Sequence, residues 1–151
     1  IHIGGTADAN ALDDYEEGTW TGVYKSSSGV MTMDSGNTTG RYLKVGRLVF
    51  VSGYFVASAN NNATTSQSLQ MSGLPFTVAA DNTSYANGAI GYYSGLALDS
   101  GGTPSFYVRP TEAAVSFKQL AIGATDISNM TVANLSADGA MMFSTTYYTT
   151  A

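Results

Sequence analysis

The sequence is poor in charge, and it contains no cysteine. Only 11% of its 151 residues are Asp, Glu, Lys or Arg, less than half of the usual fraction of about 25%. The absence of cysteine excludes disulfides and thiolate metal sites. The single histidine, His2, lies close to the first residue, where the rigid positioning that Ser-His-Asp chemistry needs is not expected. No apolar run approaches the ~20 residues of a membrane span, and no signal peptide is visible, so no membrane insertion is expected.

Positive charge is scarce and scattered. Six Lys and Arg residues stand against eleven Asp and Glu, for a net charge of −5. Only the three cations Arg41, Lys44 and Arg47 lie near one another in the sequence. A nucleic-acid backbone is bound by clustered Lys and Arg, so the composition predicts no nucleic-acid partner.

The residues that are abundant favour an all-β domain. Hydrophobic residues make up 44% of the chain, which is enough to form the core of one domain. Seventeen glycines interrupt the sequence at short intervals, and no window shows the apolar spacing of a helix. The pattern predicts a β-sandwich or a β-roll over residues 18–151, and we favour an antiparallel, jelly-roll-like β-sandwich. Residues 1–17 are interpreted as a lead-in segment, and a start at Ile1 suggests a piece of a longer protein.

The strongest strand signal lies in GRYLKVGRLVFVSGYFVAS, residues 40–58, which predicts two strands around a tight turn at Gly46. The second strand is apolar on both faces: Leu48, Phe50, Tyr54 and Val56 alternate with Val49, Val51 and Phe55. One set can face the core, and the other needs cover from a second sheet or a neighbouring subunit. Further strands are predicted at 19–25, 68–71, 89–93, 105–109, 114–119 and 140–148.

The stretch ALDDYEEGTWTG, residues 11–22, concentrates the acids Asp13, Asp14, Glu16 and Glu17 beside Tyr15 and the only tryptophan, Trp20. Asp14 and Glu16 could form a glycosidase pair, but no histidine or substrate-binding charge lies nearby in the sequence. The spacing does not fit an EF-hand, although a loose Ca²⁺ site stays an alternative. We favour a structural joint, in which Tyr15 and Trp20 are anchored in the core. The acids would then face basic residues, with Arg41, Lys44 and Arg47 the first candidates.

Exposed aromatic and amide side chains are the candidates for ligand contact. The chain has ten tyrosines, including the adjacent pair Tyr92 and Tyr93. Because adjacent strand residues point to opposite faces, one tyrosine of the pair is expected to pack inside and the other to face out. Outward tyrosines suit sugar stacking and protein interfaces, although half-buried strand aromatics would give the same pattern. The receptor-contact candidates are Asn60, Asn61, Asn62, Tyr92 and Tyr93. No catalytic residue, metal ligand or cofactor is predicted.

Four ordered blocks resemble a domain that is widespread in bacteriophage tail fibres and related virion proteins. ALDDYEEGTWTG is similar to its opening LDDYEEGTWTP, and GRYLKVGRLVFVSGYF is similar to its G-x-Y-x-K-x-G-x-x-V-x-V-x-G segment. MSGLPFT and ANLSADGAMMFSTTYYT resemble its later blocks. Gly22 replaces the usual proline of the opening, and Arg47 replaces a frequent asparagine. The blocks span nearly the whole chain.

The resemblance implies a virion protein of the tail rather than the capsid. Such domains follow a shaft at the distal end of homotrimeric fibres, so a homotrimer joined to other virion proteins through its N-terminal side is expected. The expected function is adsorption to a bacterial surface receptor, either a glycan or a protein, with a glycan favoured. One alternative is a purely structural module that trimerises, caps the fibre or decorates the particle. Another, less favoured, is a glycan depolymerase, in which amides at Asp14 and Glu16 would abolish activity.

Overall fold

The computed structural model describes residues 14–60 and 63–150, and within these ranges it contains strands and no α-helix. The strands are β1 (Tyr15–Thr21), β2 (Val23–Lys25), β3 (Thr32–Met33), β4 (Thr39–Val45), β5 (Leu48–Ala59), β6 (Gln70–Ser72), β7 (Ala86–Leu96), β8 (Thr103–Val108), β9 (Ala114–Leu120), β10 (Ser128–Asn129) and β11 (Leu135–Tyr148). Short 3-10 turns lie at Asp99–Gly101 and Val132–Asn134. The all-β prediction is confirmed.

The strands form one continuous antiparallel path that folds into two layers. The order is β1-β4-β5-β11-β7-β8-β9-β6-β2, with β3 on β5 and β10 on β9. We call β1, β4, β5, β11 and β7 the front sheet, and β8, β9, β6, β2 and β10 the back sheet. β7 joins the layers, because it pairs with β11 from Gly88 onward and with β8 at Ala86 and Asn87. The ends of the path, β1 and β2, are separated in the chain by Gly22 alone.

The core lies between the layers and is rich in aromatic rings. Phe143 of the front sheet approaches Phe106 and Phe117 of the back sheet, with ring centroids 5.1 and 6.0 Å apart. Tyr24 of β2 is fully buried and donates a hydrogen bond to the carbonyl of Phe55 across the core. Side chains that point inward from both sheets therefore fill one core, and the antiparallel sandwich is confirmed.

The hairpin predicted at 40–58 is present. Val45 pairs with Leu48, and Gly46 adopts a φ of 57°, a left-handed conformation that glycine takes without steric cost. The strand predicted at 19–25 is instead two strands in different sheets. The chain crosses over at Gly22, where a Cβ would lie 2.6 Å from the ring of Phe55.

The strand β1 begins within the segment assigned to the lead-in. Tyr15 pairs with Val45, and Glu17 pairs with Leu43. Residues 1–13 lie outside the described residues, so the division of the chain at residue 17 stays a prediction.

Trp20 and Gly40 form a tight cross-strand pair. They lie opposite each other in β1 and β4, and Trp20 is buried in the core. A Cβ at Gly40 would lie 2.4 Å from the indole Nε1 and 2.5 Å from the carbonyl oxygen of Ser52. The absence of a side chain at Gly40 therefore makes room for the indole.

We expect Gly40→Ala to lower the free energy of unfolding by about 1–3 kcal/mol, because the added methyl group overpacks the core. The matched control is Gly36→Ala, where the new Cβ meets only Asp34 Oδ1, at 3.4 Å. Urea denaturation of both variants gives the comparison. Equal stabilities would contradict the steric role of Gly40.

Candidate functional site

The acid-rich stretch is held to the neighbouring strand by Lys44. Its Nζ forms an ion pair with Asp14 and a second, at 3.3 Å, with Glu16, which lies directly opposite in the ladder. The hydrogen bond to Asp14 is the main cause that raises the pKa of Lys44 above its ordinary value. Both carboxylates of the hypothetical glycosidase pair thus bind the same cation.

The other residues of this stretch divide between the two faces of β1. Trp20 is buried, whereas Tyr15 is 46% exposed, so the expected core anchor at Tyr15 is wrong. Strand alternation places Tyr15 on the outer face with Glu17, to whose Oε2 its hydroxyl donates a 2.9 Å hydrogen bond. This bond to a carboxylate raises the pKa of Tyr15. Asp13 lies outside the described residues.

Two of the candidate basic partners lie elsewhere. Arg41 is exposed opposite Thr19, and Arg47 donates through Nε to the carbonyl of Thr149. Lys44 is therefore the cation that the fold brings to the acids. A role of this stretch as a joint stays a prediction.

The predicted receptor-contact residues Asn60, Tyr92 and Tyr93 do not line the depressions of the back sheet that are described below. Tyr92 is on the outer face of the front sheet, 6.1 Å from Tyr54 between ring centroids. Tyr93 is 45% exposed, so both members of this pair are accessible. Asn60 follows the end of β5, and its Oδ1 has no hydrogen-bond partner within the described ranges. Asn61 and Asn62 lie outside those ranges.

The outer face of the front sheet carries many exposed apolar side chains, with the charged residues Glu17 and Arg41 among them. Strand register aligns Val45, Leu48 and Tyr148 in one row and Tyr54, Met142 and Tyr92 in another. We call the following exposed residues the apolar face: Tyr15, Leu43, Val45, Leu48, Phe50, Tyr54, Tyr92, Met142 and Tyr148. A shallow groove of about 510 Å³ runs across it beside Phe50, Tyr54 and Met142. This is the uncovered side of the strand that the sequence showed to be apolar on both faces.

The outer face of the back sheet is polar. Register aligns Lys25, Gln70, Ser116, Tyr107 and Asn87 in one row across β2, β6, β9, β8 and β7. With neighbouring strands about 4.8 Å apart, the row is roughly 19 Å long. Its side chains supply an ammonium group, two amides and two hydroxyls.

Depressions along this row form what we call the polar trough. Cavities of about 200, 680 and 390 Å³ all share Gln70 in their lining. The trough residues used below are Lys25, Gln70, Tyr107, Arg109, Ser116, Lys118 and Asn129. A further depression of about 320 Å³ continues beyond Tyr107 to Tyr85.

Side chains in the trough are ordered by mutual contacts. Lys118 donates to the side-chain oxygen of Asn129, and its Nζ lies 4.9 Å from the ring centroid of Tyr107. Gln70 donates to the hydroxyl of Ser116 at 3.4 Å. Arg109 forms an ion pair with Glu112 at 2.5 Å. The trough thus presents a preorganised set of donors and acceptors beside an aromatic ring.

Tyr85 and Tyr107 provide aromatic surface at one end of the trough. Their ring centroids are 6.1 Å apart, and Tyr85 is 57% exposed. Tyr85 follows a turn in which the carboxylate of Asp81 accepts hydrogen bonds from the backbone N–H and hydroxyl of Thr83. The hydroxyl bond from Thr83 is the first cause that lowers the pKa of Asp81.

The Asp81 turn gives a pH-dependent prediction. A carboxyl group whose pKa is lower in the folded state contributes stability that is present above its unfolded pKa of about 3.9 and is lost as pH falls through the folded pKa. We therefore expect wild type to be more stable than Asp81→Asn at pH ~7, and the difference to shrink below pH ~4. Urea denaturation at both pH values measures it, and a difference that does not depend on pH would contradict the assignment.

Sequence reasoning missed the polar trough. Alternation in VRP and SFK marks Arg109, Ser116 and Lys118 as outward residues, but Lys25 and Gln70 join them only through β2 and β6, which are distant from β9 in the chain. In the described ranges, no three His, Cys, Asp or Glu side chains cluster as metal ligands would. Nor does the described part of the chain include a helix with the length and apolar character needed to cross a membrane.

Comparisons with known proteins give a likeness in fold. No protein-family model and no curated protein matches the sequence. A solved structure, the crystal structure of the Dettilon tailspike protein (gp208), is similar with a TM-score of 0.70 and 15% sequence identity. The alignment covers 89% of this chain and 24% of that chain, so this chain corresponds to about a quarter of the tailspike.

Proposed function

We propose that this chain is a distal domain of a bacteriophage tail fibre or tailspike that adsorbs the virion to a glycan on the bacterial surface. Three observations support the proposal: the four sequence blocks, the likeness in fold to a tailspike protein, and the polar trough. The trough carries the argument, because it offers a built surface for a polar ligand. A virion location in the tail rather than the capsid belongs to the same proposal.

The chemistry of the trough suits sugars. A sugar presents hydroxyl groups that need donors and acceptors, together with an apolar ring face that packs on tyrosine. Gln70, Ser116 and Asn129 supply amide and hydroxyl groups, Tyr85 supplies an exposed ring, and Tyr107 supplies a partly buried one. A protein receptor is the less favoured ligand, since protein interfaces have apolar cores that the trough does not offer.

We propose binding without catalysis. Glycoside hydrolysis uses two carboxyl groups on either side of the scissile bond. The residues that line the trough depressions include one carboxylate, Glu112, which is paired with Arg109. Asp14 and Glu16 are paired with Lys44 on another strand pair.

The test is binding of the purified chain to a panel of bacterial strains, with and without their surface polysaccharide. We expect strain-dependent binding that disappears when the polysaccharide is removed. Tyr107→Ala should weaken it by about tenfold, since the loss of a central aromatic contact costs more than ~1 kcal/mol. The matched control is Ile122→Ala, which removes a 73% exposed apolar side chain outside the trough. Binding that depends on surface protein instead, or a folded chain that binds no strain, would contradict the proposal.

A second candidate function is structural association, and the apolar face favours it. The nine side chains of this face are each 36–53% exposed, and five of them are aromatic. Such a concentration of exposed apolar side chains marks an interaction surface. A second copy of this chain is the proposed occupant, in a homotrimer.

In the homotrimer, the acid-rich stretch would join the domain to a preceding shaft and thereby to other virion proteins. Asp14, Tyr15, Glu16, Glu17 and Trp20 are the described residues of this proposed joint. If structural association is the only function, the apolar face assembles copies of the chain and the polar trough binds no receptor.

A further inference from the structure

The polar trough is the cationic surface of an acidic protein. Its depressions are lined by three of the six cations of the chain, Lys25, Arg109 and Lys118, and by one acid, Glu112. The formal charge of this lining is therefore +2, while the whole chain carries −5. A local potential opposite in sign to that of the whole protein attracts anionic groups to this surface and repels cationic ones.

Lys118 is held in position rather than extended into solvent. Its ammonium group donates to Asn129 and lies over the ring of Tyr107 at 4.9 Å. Neither partner carries a negative charge, so the positive charge of Lys118 is not neutralised by these contacts. A lysine that is already ordered loses less side-chain entropy when it binds a ligand.

Lys25 lies at one end of the row, whereas Lys118 lies beside its middle, two residues beyond Ser116 in β9. Lys25 lies opposite Gln70 in the β2–β6 ladder and lines the same cavity as Arg109 and Glu112. Arg109 is paired with Glu112, so Lys25 and Lys118 are the cations left to meet a ligand. Gln70 and Ser116 lie between them and supply hydrogen bonds to neutral groups.

From this arrangement we infer that the trough binds an anionic glycan, in which sugar carboxylate or phosphate groups pair with Lys25 and Lys118 while sugar hydroxyls bind Gln70 and Ser116. The inference rests on the proposed adsorption function and specifies the class of its ligand. Charge-assisted hydrogen bonds to Lys25 and Lys118 would hold the glycan across β2, β6 and β9.

The experiment uses polysaccharide purified from the strain that binds the chain most strongly. It is prepared in three forms: native, with its carboxyl groups reduced to alcohols, and with its phosphate groups removed. Isothermal titration compares wild type with Lys118→Gln, Lys25→Gln and the control Arg41→Gln, which removes the same charge from the outer side of the front sheet.

We expect Lys118→Gln and Lys25→Gln each to weaken binding of the native polysaccharide by about tenfold, the usual effect of losing a hydrogen bond to a charged group. Arg41→Gln should change it less than about twofold, as exposed charges outside the site do. Binding should weaken as salt is raised, because ions screen exposed charges. The chemical treatment that removes affinity identifies carboxylate or phosphate as the anion.

Two failures are distinguishable. The anionic class is overturned if the carboxyl-reduced form and the dephosphorylated form both bind as tightly as the native polysaccharide, or if neither lysine variant weakens binding. Adsorption to a glycan stands in either case. If no strain and no polysaccharide binds a chain whose thermal unfolding shows it to be folded, the proposed function fails, and the inference fails with it.

Discussion

Replacement of Phe143 by alanine is expected to lower the free energy of unfolding by about 3–5 kcal/mol, the usual cost of removing a phenylalanine from a packed core. The ring lies within 6.3 Å, between centroids, of the rings of Trp20, Phe55, Phe106 and Phe117. It therefore touches both layers, and its removal would leave a cavity between them. Because domains of this size are stable by about 5–15 kcal/mol, the loss removes a large part of the total.

The neighbouring residue supplies the control. Met142 precedes Phe143 in β11 but points outward and is 44% exposed. Met142→Ala should change stability by less than about 0.5 kcal/mol, as surface substitutions do. The measurement is urea denaturation under conditions in which the chain is monomeric. Equal effects of the two substitutions would show that the core does not lie between the sheets.

Substitution of Phe50 by glutamate is expected to dissociate the proposed homotrimer. Phe50 is 42% exposed and lies between Leu43 and Thr146 in the register of the front sheet, near the middle of the apolar face. In an assembly through this face, each copy would bury an unpaired carboxylate, at a cost of about 3 kcal/mol or more. The association constant should therefore fall by at least about a hundredfold.

Sedimentation equilibrium measures this effect, with the wild-type chain expected to be a trimer at micromolar concentration. The matched control is Ile122→Glu, which places the same charge at a 73% exposed apolar residue between β9 and β10. This control should stay trimeric. A monomeric wild type, or equal dissociation by both variants, would contradict association through the apolar face.

The predictions from sequence are most accurate where structure depends on near neighbours. Gly46 and the alternation of Leu48 to Phe55 define a hairpin, and the structure contains it. Alternation also distinguishes the two sides of β5, because Val49 and Val51 must face opposite to Leu48 and Phe50. Local sequence patterns of this kind are sufficient to predict a turn and to predict which side chains of a strand share a face.

The pairing of strands that are far apart in the chain cannot be predicted from these local patterns. β11 lies between β5 and β7 in the sheet, although the chain separates it from both, and its ladder extends before Ala140, the predicted start. The polar trough depends on the same kind of information, since Lys25, Gln70 and Ser116 become neighbours only through the pairing of β2 with β6 and of β6 with β9, which are not consecutive strands. Alternation predicts one inward and one outward residue in the pair Tyr92 and Tyr93, but both are exposed, and Tyr92 lies on the apolar face. The surface to which a side chain belongs follows from topology, which alternation does not give.

The join between β1 and β2 determines how the domain would respond to tension. A pull at Tyr15, directed along β1, would load the seven residue pairs of the β1–β4 ladder together rather than one after another. Beyond Gly22 the chain enters the β2–β6 ladder, so the load would pass into the second layer as well. Hydrogen bonds that share a load in shear resist it collectively, while bonds that are peeled apart fail in sequence. The β1–β4 ladder would therefore resist a pull along β1 collectively, at the N-terminal side of the described domain.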